Sequence, residues 1–181
     1  MKRRCIPALL LVVLLVSCRY DYGDSPSEGT EDSRPDFTLH DLAYRVHLGD
    51  ASRIHFTAES GDFHEGEHTA ELTGVSFLQY APDGELITRG QSESAVIDLH
   101  TENALLSGAV VIRAIDEELT ITAEILQWHR EEQVLSAPGR DLVTMEQDHG
   151  TMTRGRGFTA DLYRREFQFT DDVWGVLNET P

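Results

Sequence analysis

Lysine and cysteine are almost absent from this 181-residue chain, and basic charge is scarce. The only lysine is Lys2, and 15 basic residues stand against 32 acidic ones, which gives a formal net charge of −17 at pH 7. A nucleic-acid-binding protein presents a basic face to phosphates, so that class of function is excluded. The sequence also lacks a nucleophile elbow, a phosphate-binding loop and a Cys/His metal cluster. We therefore expect no enzyme activity and no bound cofactor or metal.

The two cysteines, Cys5 and Cys18, flank a short apolar run at the N-terminus. Basic residues at 2–4 precede the run 6–16, whose 11 residues fall short of the roughly 20 that span a bilayer. A basic start and a short apolar run are typical of a signal peptide. The run ends in LVSC at 15–18, which resembles a bacterial lipobox. We predict a signal peptide over 1–17 and lipidation of Cys18; an uncleaved membrane anchor is the alternative.

The chain after the leader divides by composition into two parts. Residues 18–36 are rich in Ser, Gly, Pro and acidic residues, which predicts a disordered acidic tether. Residues 37–181 are long enough for one folded domain. The single cysteine left after cleavage provides no disulfide framework.

Short segments of the folded part alternate apolar and polar residues, which is the pattern of strands that bury one face. The clearest segments are 54–58, 72–80, 95–99, 119–123 and 167–169. Turn-forming residues separate them, as at 82–84 (PDG) and 138–139 (PG). We therefore predict an all-β fold, as a sandwich, a barrel or a β-roll.

One segment, 123–135, is also compatible with a helix. It is rich in good helix formers, and a helix would align Ile125, Trp128 and Leu135. The same helix would place Glu132 on that apolar face, and the strand pattern at 119–122 enters the segment without a break or an N-cap. A strand is favoured and the helix is the alternative.

The order of motifs in the C-terminal half resembles the LptC family, the periplasmic component of the lipopolysaccharide export machine, and more distantly the LptA (OstA-like) bridge domain. A strand ending in Leu-x-Trp is followed by Leu-Ser and by Gly-x-Gly-Phe-x-Ala-Asp. The motifs are 121–128 (ITAEILQW), 135–136 (LS), 143–145 (VTM), 155–161 (GRGFTAD) and 167–173 (FQFTDDV). The likeness extends more loosely over most of residues 37–177.

The resemblance implies an open, twisted antiparallel β-jellyroll whose interior is a groove for acyl chains. It implies that lipopolysaccharide, or a related glycolipid, passes from an inner-membrane ABC transporter to the next jellyroll of a bridge to the outer membrane. LptF/LptG-type transporter subunits would bind the N-terminal edge and an LptA-type bridge protein the C-terminal edge. Unpaired sheet edges are normally a liability, and here they would pair in trans by strand addition.

The predicted lipobox departs from this family, which usually keeps an uncleaved transmembrane helix. The expected location is the periplasm, with a lipid anchor in the inner membrane. Residue 19 is Arg rather than Asp, which by the sorting rule of enteric lipoproteins would direct the protein to the outer membrane, so both membranes stay open.

The candidate groove is lined by apolar residues of the predicted strands, and the alternative is that they pack a closed core. The candidates are Phe56, Leu72, Phe77, Ile97, Leu99, Ile112, Ile121, Leu126, Trp128, Phe158, Phe167 and Phe169.

The sequence HEGEH at 64–68 matches the spacing of zinc proteases. That chemistry needs both His residues one turn apart on a helix, whereas Gly66 interrupts this segment and a strand pattern follows it. We interpret the segment as an acidic hairpin tip. A zinc hydrolase is the third functional hypothesis, after lipid transfer and after a structural envelope lipoprotein whose β-sandwich serves as a scaffold without lipid cargo.

Four arginines, Arg154, Arg156, Arg164 and Arg165, cluster late in the chain. They are suited to lipid phosphates or to an acidic partner. We favour the simpler interpretation that they are solubilising charges that guard the terminal sheet edge.

Overall fold

The computed structural model describes residues 34–48, 52–139 and 141–176. These residues form one antiparallel sheet, and the predicted all-β fold is confirmed. The strands are β1 (Phe37–Leu48), β2 (Ser52–His64), β3 (Thr69–Tyr80), β4 (Leu86–Asp98), β5 (Ala104–Ala114), β6 (Leu119–His129), β7 (Val134–Ser136), β8 (Val143–Gln147), β9 (Met152–Arg156), β10 (Thr159–Asp161), β11 (Glu166–Gln168) and β12 (Asp171–Val176). In this part of the chain, no helix has the length and apolar character to cross a membrane.

The sheet is a meander that forks at its sixth strand. Each strand from β1 to β6 pairs with the next in sequence. The C-terminal part of β6 then pairs with β7, while its N-terminal part pairs with β8. One branch continues as β7, β10 and β11, and the other as β8, β9 and β12. The sheet does not close, so β1 is an edge strand at one end and β11 and β12 are edge strands at the other.

The long strands change the face they bury halfway along their length. In β3, Ala70 and Leu72 are buried, and then Val75, three residues further on, is buried as well. The switch occurs at Gly74, whose φ is +62°. In β5 it occurs at Gly108 and Ala109, with φ of +76° and +46°. In β5 the pairing register shifts by one residue at this point, and an extra residue of this kind bends a strand and increases its twist. β3 changes face at Gly74 without a shift in register.

A single hydrophobic core lies on the face of the sheet that carries the buried side chains, which we call the inner face. Its largest fully buried side chains are Phe158, Leu126, Val110 and Val143. Phe158 lies between the two branches: its carbonyl oxygen accepts a hydrogen bond from Ala137 N at 3.0 Å, and its ring centroid lies 5.3 Å from that of Phe169. The branches are therefore packed together at their junction with the core.

The strand boundaries decide between the alternative structures that the sequence left open for two segments. Residues 119–129 form β6, so the helical alternative for 123–135 is wrong. The segment from His64 to His68 ends β2 and forms the turn into β3, which confirms its interpretation as a hairpin tip. The predicted signal peptide, Cys18 and most of the tether lie outside the described residues.

Candidate functional site

A row of apolar residues crosses the inner face from one edge of the sheet to the other. Each member is the direct cross-strand partner of the next, so neighbouring Cβ atoms lie about 4.5–5.5 Å apart. The row mixes large side chains with alanines, which leaves room for the large ones. In order from β1 to β11, this first row consists of Phe37, Phe63, Ala70, Ile97, Ala104, Trp128, Leu135, Ala160 and Phe167.

The first row is buried in the middle and exposed at both ends. Ala70 is 2% exposed, whereas Phe37 on β1 is 41% exposed and Phe167 on β11 is 55% exposed. The Phe37 ring stacks on that of Phe63, with centroids 4.7 Å apart. Apolar surface is therefore continuous from the core to both unpaired edges. At the edges this surface is exposed to water unless another apolar group covers it.

Two further rows run parallel to the first. The second row consists of Leu39, Gly61, Leu72, Ala95, Leu106 and Leu126. The third row, beyond the bend, consists of Tyr44, Phe56, Phe77, Gly90, Ile112, Ile121 and Met145. Leu39 and Tyr44 are exposed where these rows reach β1, so all three rows open onto the same edge strand.

Most of the predicted groove residues lie in these rows. The first row holds Ile97, Trp128 and Phe167, the second holds Leu72 and Leu126, and the third holds Phe56, Phe77, Ile112 and Ile121. Phe158 and Phe169 lie between the branches instead. Leu99 follows the end of β4 and is 49% exposed, outside the hydrophobic core.

The sequence pattern missed the residues at the β1 edge. Phe37, Leu39 and Tyr44 are all partners of inner-face residues. Their alternation is interrupted because Asp41 has a φ of +53°, so that Leu39 and Leu42 face inward three residues apart. The alternation of Phe37, Thr38 and Leu39 is the signal by which the start of this strand could have been found.

Polar interactions fix the turns at the ends of the strands. Arg113 donates two hydrogen bonds to the carboxylate of Asp148, at 2.9 and 2.6 Å, and thereby joins β5 to the turn after β8. These bonds hold the pKa of Asp148 below its ordinary value. In the β4–β5 turn, the backbone amides of Thr101 and His100 donate to Asp98 and lower its pKa in the same way. The turns are thus stabilised by charge-assisted hydrogen bonds.

The late arginines lie near the C-terminal edge strands. Arg154 is exposed on β9, which pairs with β12. Arg156 forms an ion pair with Asp172 at 3.2 Å, and Arg164 forms one with Asp161 at 3.6 Å. Arg164 also lines a polar depression of about 410 Å³ with Glu131, Glu132 and Tyr163. This depression lies at the turns, away from the apolar rows.

Among the described residues, no group of three or more His, Cys, Asp or Glu side chains is arranged to hold a metal ion. The rows themselves contain no acid, base or nucleophile beyond the hydroxyl of Tyr44. What this face offers chemically is apolar contact, and it is suited to holding a hydrocarbon chain.

A search of solved structures finds a protein of the same architecture. It is LptH from Pseudomonas aeruginosa, described as the LptA-homologous periplasmic component of the conserved lipopolysaccharide transport device. The superposition has a TM-score of 0.53 and covers 70% of this chain and 95% of that chain, with 12% sequence identity. The fold therefore defines an open β-jellyroll of the LptA type. No curated protein matches the sequence.

The sequence itself identifies the family. The model of the LptC family, described as lipopolysaccharide-assembly, LptC-related, matches residues 6–178. The chain therefore belongs to the LptC family, and the resemblance that its motifs indicated is confirmed. This membership connects the chain with lipopolysaccharide transport.

Proposed function

We propose that this protein is a membrane-tethered periplasmic lipid-transfer component. It receives lipopolysaccharide, or a similar glycolipid, from an inner-membrane ABC transporter and passes it to the next β-jellyroll of a bridge to the outer membrane. The observation that carries this proposal is the first row, which is apolar from β1 to β11 and exposed at both ends.

Apolar burial supplies the affinity for the cargo. Acyl chains would lie along the rows while the sugar headgroup stays in water. Each buried methylene contributes about 0.8 kcal/mol, so a few chains offset the cost of leaving the bilayer. The direction of transfer comes from the nucleotide-hydrolysing transporter, because the sequence contains no phosphate-binding loop.

The unpaired edges are the docking surfaces of this proposal. β1 would pair with an LptF/LptG-type subunit, and the C-terminal edge strands would pair with an LptA-type jellyroll. Strand addition satisfies the free backbone groups of both partners and continues each apolar row into the neighbouring protein. The two docking edges differ, which is the condition for an open, head-to-tail assembly.

The N-terminal segment would hold the roll near the membrane. Lipidation of Cys18 would anchor the chain in the inner membrane, with the outer membrane as the other possible address. A flexible coil over the 18 tether residues 19–36 reaches about 23 Å on average, from ~5.5 Å times the square root of the residue number. The roll would therefore meet its partner with little constraint on orientation.

A structural envelope scaffold without lipid cargo is the second candidate function. It is favoured by the tight burial of the middle of the rows, where Leu126 is 0% exposed. Lipid transfer requires the packed side chains of the inner face to move apart and to admit an acyl chain. The two functions therefore differ in whether lipid ever contacts the interior.

In-cell photo-crosslinking tests this difference. A photoreactive residue replaces Trp128, which packs against the core, or Glu124, which is exposed on the same strand. Lipid transfer predicts glycolipid adducts at Trp128 and none at Glu124. Protein adducts alone at both positions would support the scaffold and exclude the lipid-transfer proposal.

A further inference from the structure

A basic patch covers part of the outer face, on the opposite side of the sheet from the third row. Because Ile54 and Phe56 face inward on β2, Arg53 and His55 point outward. Arg45 on β1 is the direct cross-strand partner of His55. His55 is partnered with Leu78, and Leu78 with Arg89 on β4. Arg45 and His55 thus lie side by side on β1 and β2, and Leu78 on β3 separates them from Arg89 on β4.

The ion pairs of the described residues leave these arginines out. Within the described residues, Arg45, Arg53 and Arg89 form no ion pair. Arg89 is moreover the direct partner of Arg113 on β5, and like charges opposite each other on a sheet destabilise it. Asp148 compensates Arg113 but leaves Arg89 uncompensated. Although the net charge is −17, these three cations are unpaired among the residues that the structure describes.

A small depression lies at the end of this patch. Its volume is about 170 Å³, and it is lined by Arg53, His55, Tyr80 and Gly84. A single water needs a cavity of about 10–15 Å³, so the depression has room for a much larger group. The rings of His55 and Tyr80 are 5.2 Å apart and inclined at 58°, which presents an imidazole and a phenol to the same space.

The β3–β4 turn forms one side of the depression through Gly84. Gly84 has a φ of +94°, and a Cβ there would lie 3.6 Å from Arg53 Nη2. The nearest acids of this turn are Asp83 and Glu85. Asp83 accepts a hydrogen bond from the backbone amide of Glu85 at 3.0 Å, so its carboxylate is engaged within the turn rather than with an arginine.

We propose that this depression binds a phosphoryl group, with Arg53, His55 and Tyr80 as hydrogen-bond donors and with Arg45 and Arg89 as flanking charges. A guanidinium group matches the geometry of a phosphate with two parallel N–H donors. The group belongs to a lipid headgroup or to a small soluble phosphate, which share this chemistry. The proposal is independent of lipid transfer through the interior, because the site is on the opposite face of the sheet.

Arginine footprinting on the full chain tests the site. The protein is held in nanodiscs and treated with phenylglyoxal, and modification of each arginine is measured by mass spectrometry at low ionic strength, where surface charges are least screened. One arm uses phosphatidylcholine nanodiscs with inorganic phosphate or with chloride at equal ionic strength. The other replaces part of the phosphatidylcholine with phosphatidylglycerol and contains no phosphate.

We expect modification of Arg45, Arg53 and Arg89 to slow several-fold while Arg164, whose side chain is 71% exposed, is unaffected. Protection by inorganic phosphate alone assigns the site to a soluble phosphoryl group. Protection only in phosphatidylglycerol nanodiscs assigns it to a lipid headgroup. Protection in both arms means that the site accepts a phosphoryl group from either source. No protection in both arms, or equal protection of Arg164, would overturn the proposal.

Two charge-reversal variants distinguish an effect of the site from an effect of the protein's net charge. Arg53→Glu should abolish the protection of Arg45 and Arg89, whereas Arg164→Glu, which changes the net charge equally, should preserve it. Arg53 is exposed, so the fold should survive, and an unchanged thermal unfolding curve verifies this. If both reversals had the same effect, the depression would not be the site.

Discussion

At Gly74 and Gly108 the backbone has positive φ angles, which residues with a Cβ atom disfavour. Both glycines are also covered by a glutamate of the preceding strand: a Cβ would lie 2.5 Å from Glu59 Cγ at Gly74 and 2.5 Å from Glu93 Oε2 at Gly108. The bend of the sheet therefore depends on single residues that combine an unusual conformation with a close contact.

Substitution of Gly74 by Ala should destabilise the protein. Positive φ at a residue with a side chain costs on the order of 1–3 kcal/mol, and Glu59 must move in addition. Gly66→Ala is the matched control, because a Cβ there meets nothing within 4 Å. Chemical denaturation should give a lower midpoint for Gly74→Ala alone, and equal midpoints for the two variants would refute this role of Gly74.

The Asp148–Arg113 pair should make stability depend on pH. The folded-state pKa of Asp148 is depressed by its hydrogen bonds from Arg113, so its contribution is present above the unfolded pKa and is lost as pH falls through the folded pKa. Asp148→Asn should therefore be less stable than the wild type at pH 7, by a small amount because the pair is exposed to solvent. The difference should shrink below about pH 4. A difference that stays constant in urea titrations across this range would exclude the linkage.

At the scale of strands, the face switch explains why part of the sequence resembled a helix. In β6, Ile121 and Ala123 face inward, and so do Leu126 and Trp128. The step from Ala123 to Leu126 is three residues, which is the spacing of a helix face rather than of a strand. Propensity is a weak guide to such a segment, and pairing with β5 and β8 decides its structure.

The change of buried face halfway along the strands also determines how much of the fold could be predicted from the sequence. Strands with regular alternation, such as 54–58 and 119–123, were predictable, and so was the apolar inner face. The bend was not, because Ala109 and Asp41 adopt positive φ without being glycine. The fork after β6 depends on which of two later strands pairs with each half of β6, and local pattern carries no information on that choice.

Phe158 should be essential for the junction of the two branches. It is 1% exposed and contacts the Phe169 ring, and truncation of a buried Phe to Ala typically costs 3–5 kcal/mol. Phe167→Ala is the matched control on the exposed β11 strand and should cost far less. Denaturant unfolding of the two variants distinguishes them, and a loss at Phe167 as large as that at Phe158 would contradict the burial argument.

At the scale of the whole molecule, both ends of the sheet combine unpaired backbone with exposed apolar side chains. Phe37, Leu39 and Tyr44 are exposed on β1, and Phe167 and Trp174 on the edge strands at the other end. Natural proteins usually protect such edges with charge or short strands. The proposed lipid path requires edges of this composition together with the apolar rows between them.

A charge placed on the inner side of β1 should interrupt that path without unfolding the roll. Leu39→Asp puts a carboxylate at the exposed end of the second row, where desolvation by an acyl chain is costly. His40→Asp places the same charge on the outer side of the same strand as a control. Lipopolysaccharide delivery to the cell surface, with protein levels measured in parallel, should fall for Leu39→Asp alone; equal delivery by the two variants would contradict the path.

The most direct measurement of the central claim is glycolipid crosslinking at the two ends of the first row. Photoreactive residues at Phe37 and Phe167 sample those ends, and His40 and Gln168 sample the opposite face of the same two strands. Lipid transfer predicts glycolipid adducts at Phe37 and Phe167 and none at His40 and Gln168. Protein adducts without lipid at all four positions, or lipid adducts shared equally by both faces, would contradict a path for lipid through the interior of the roll.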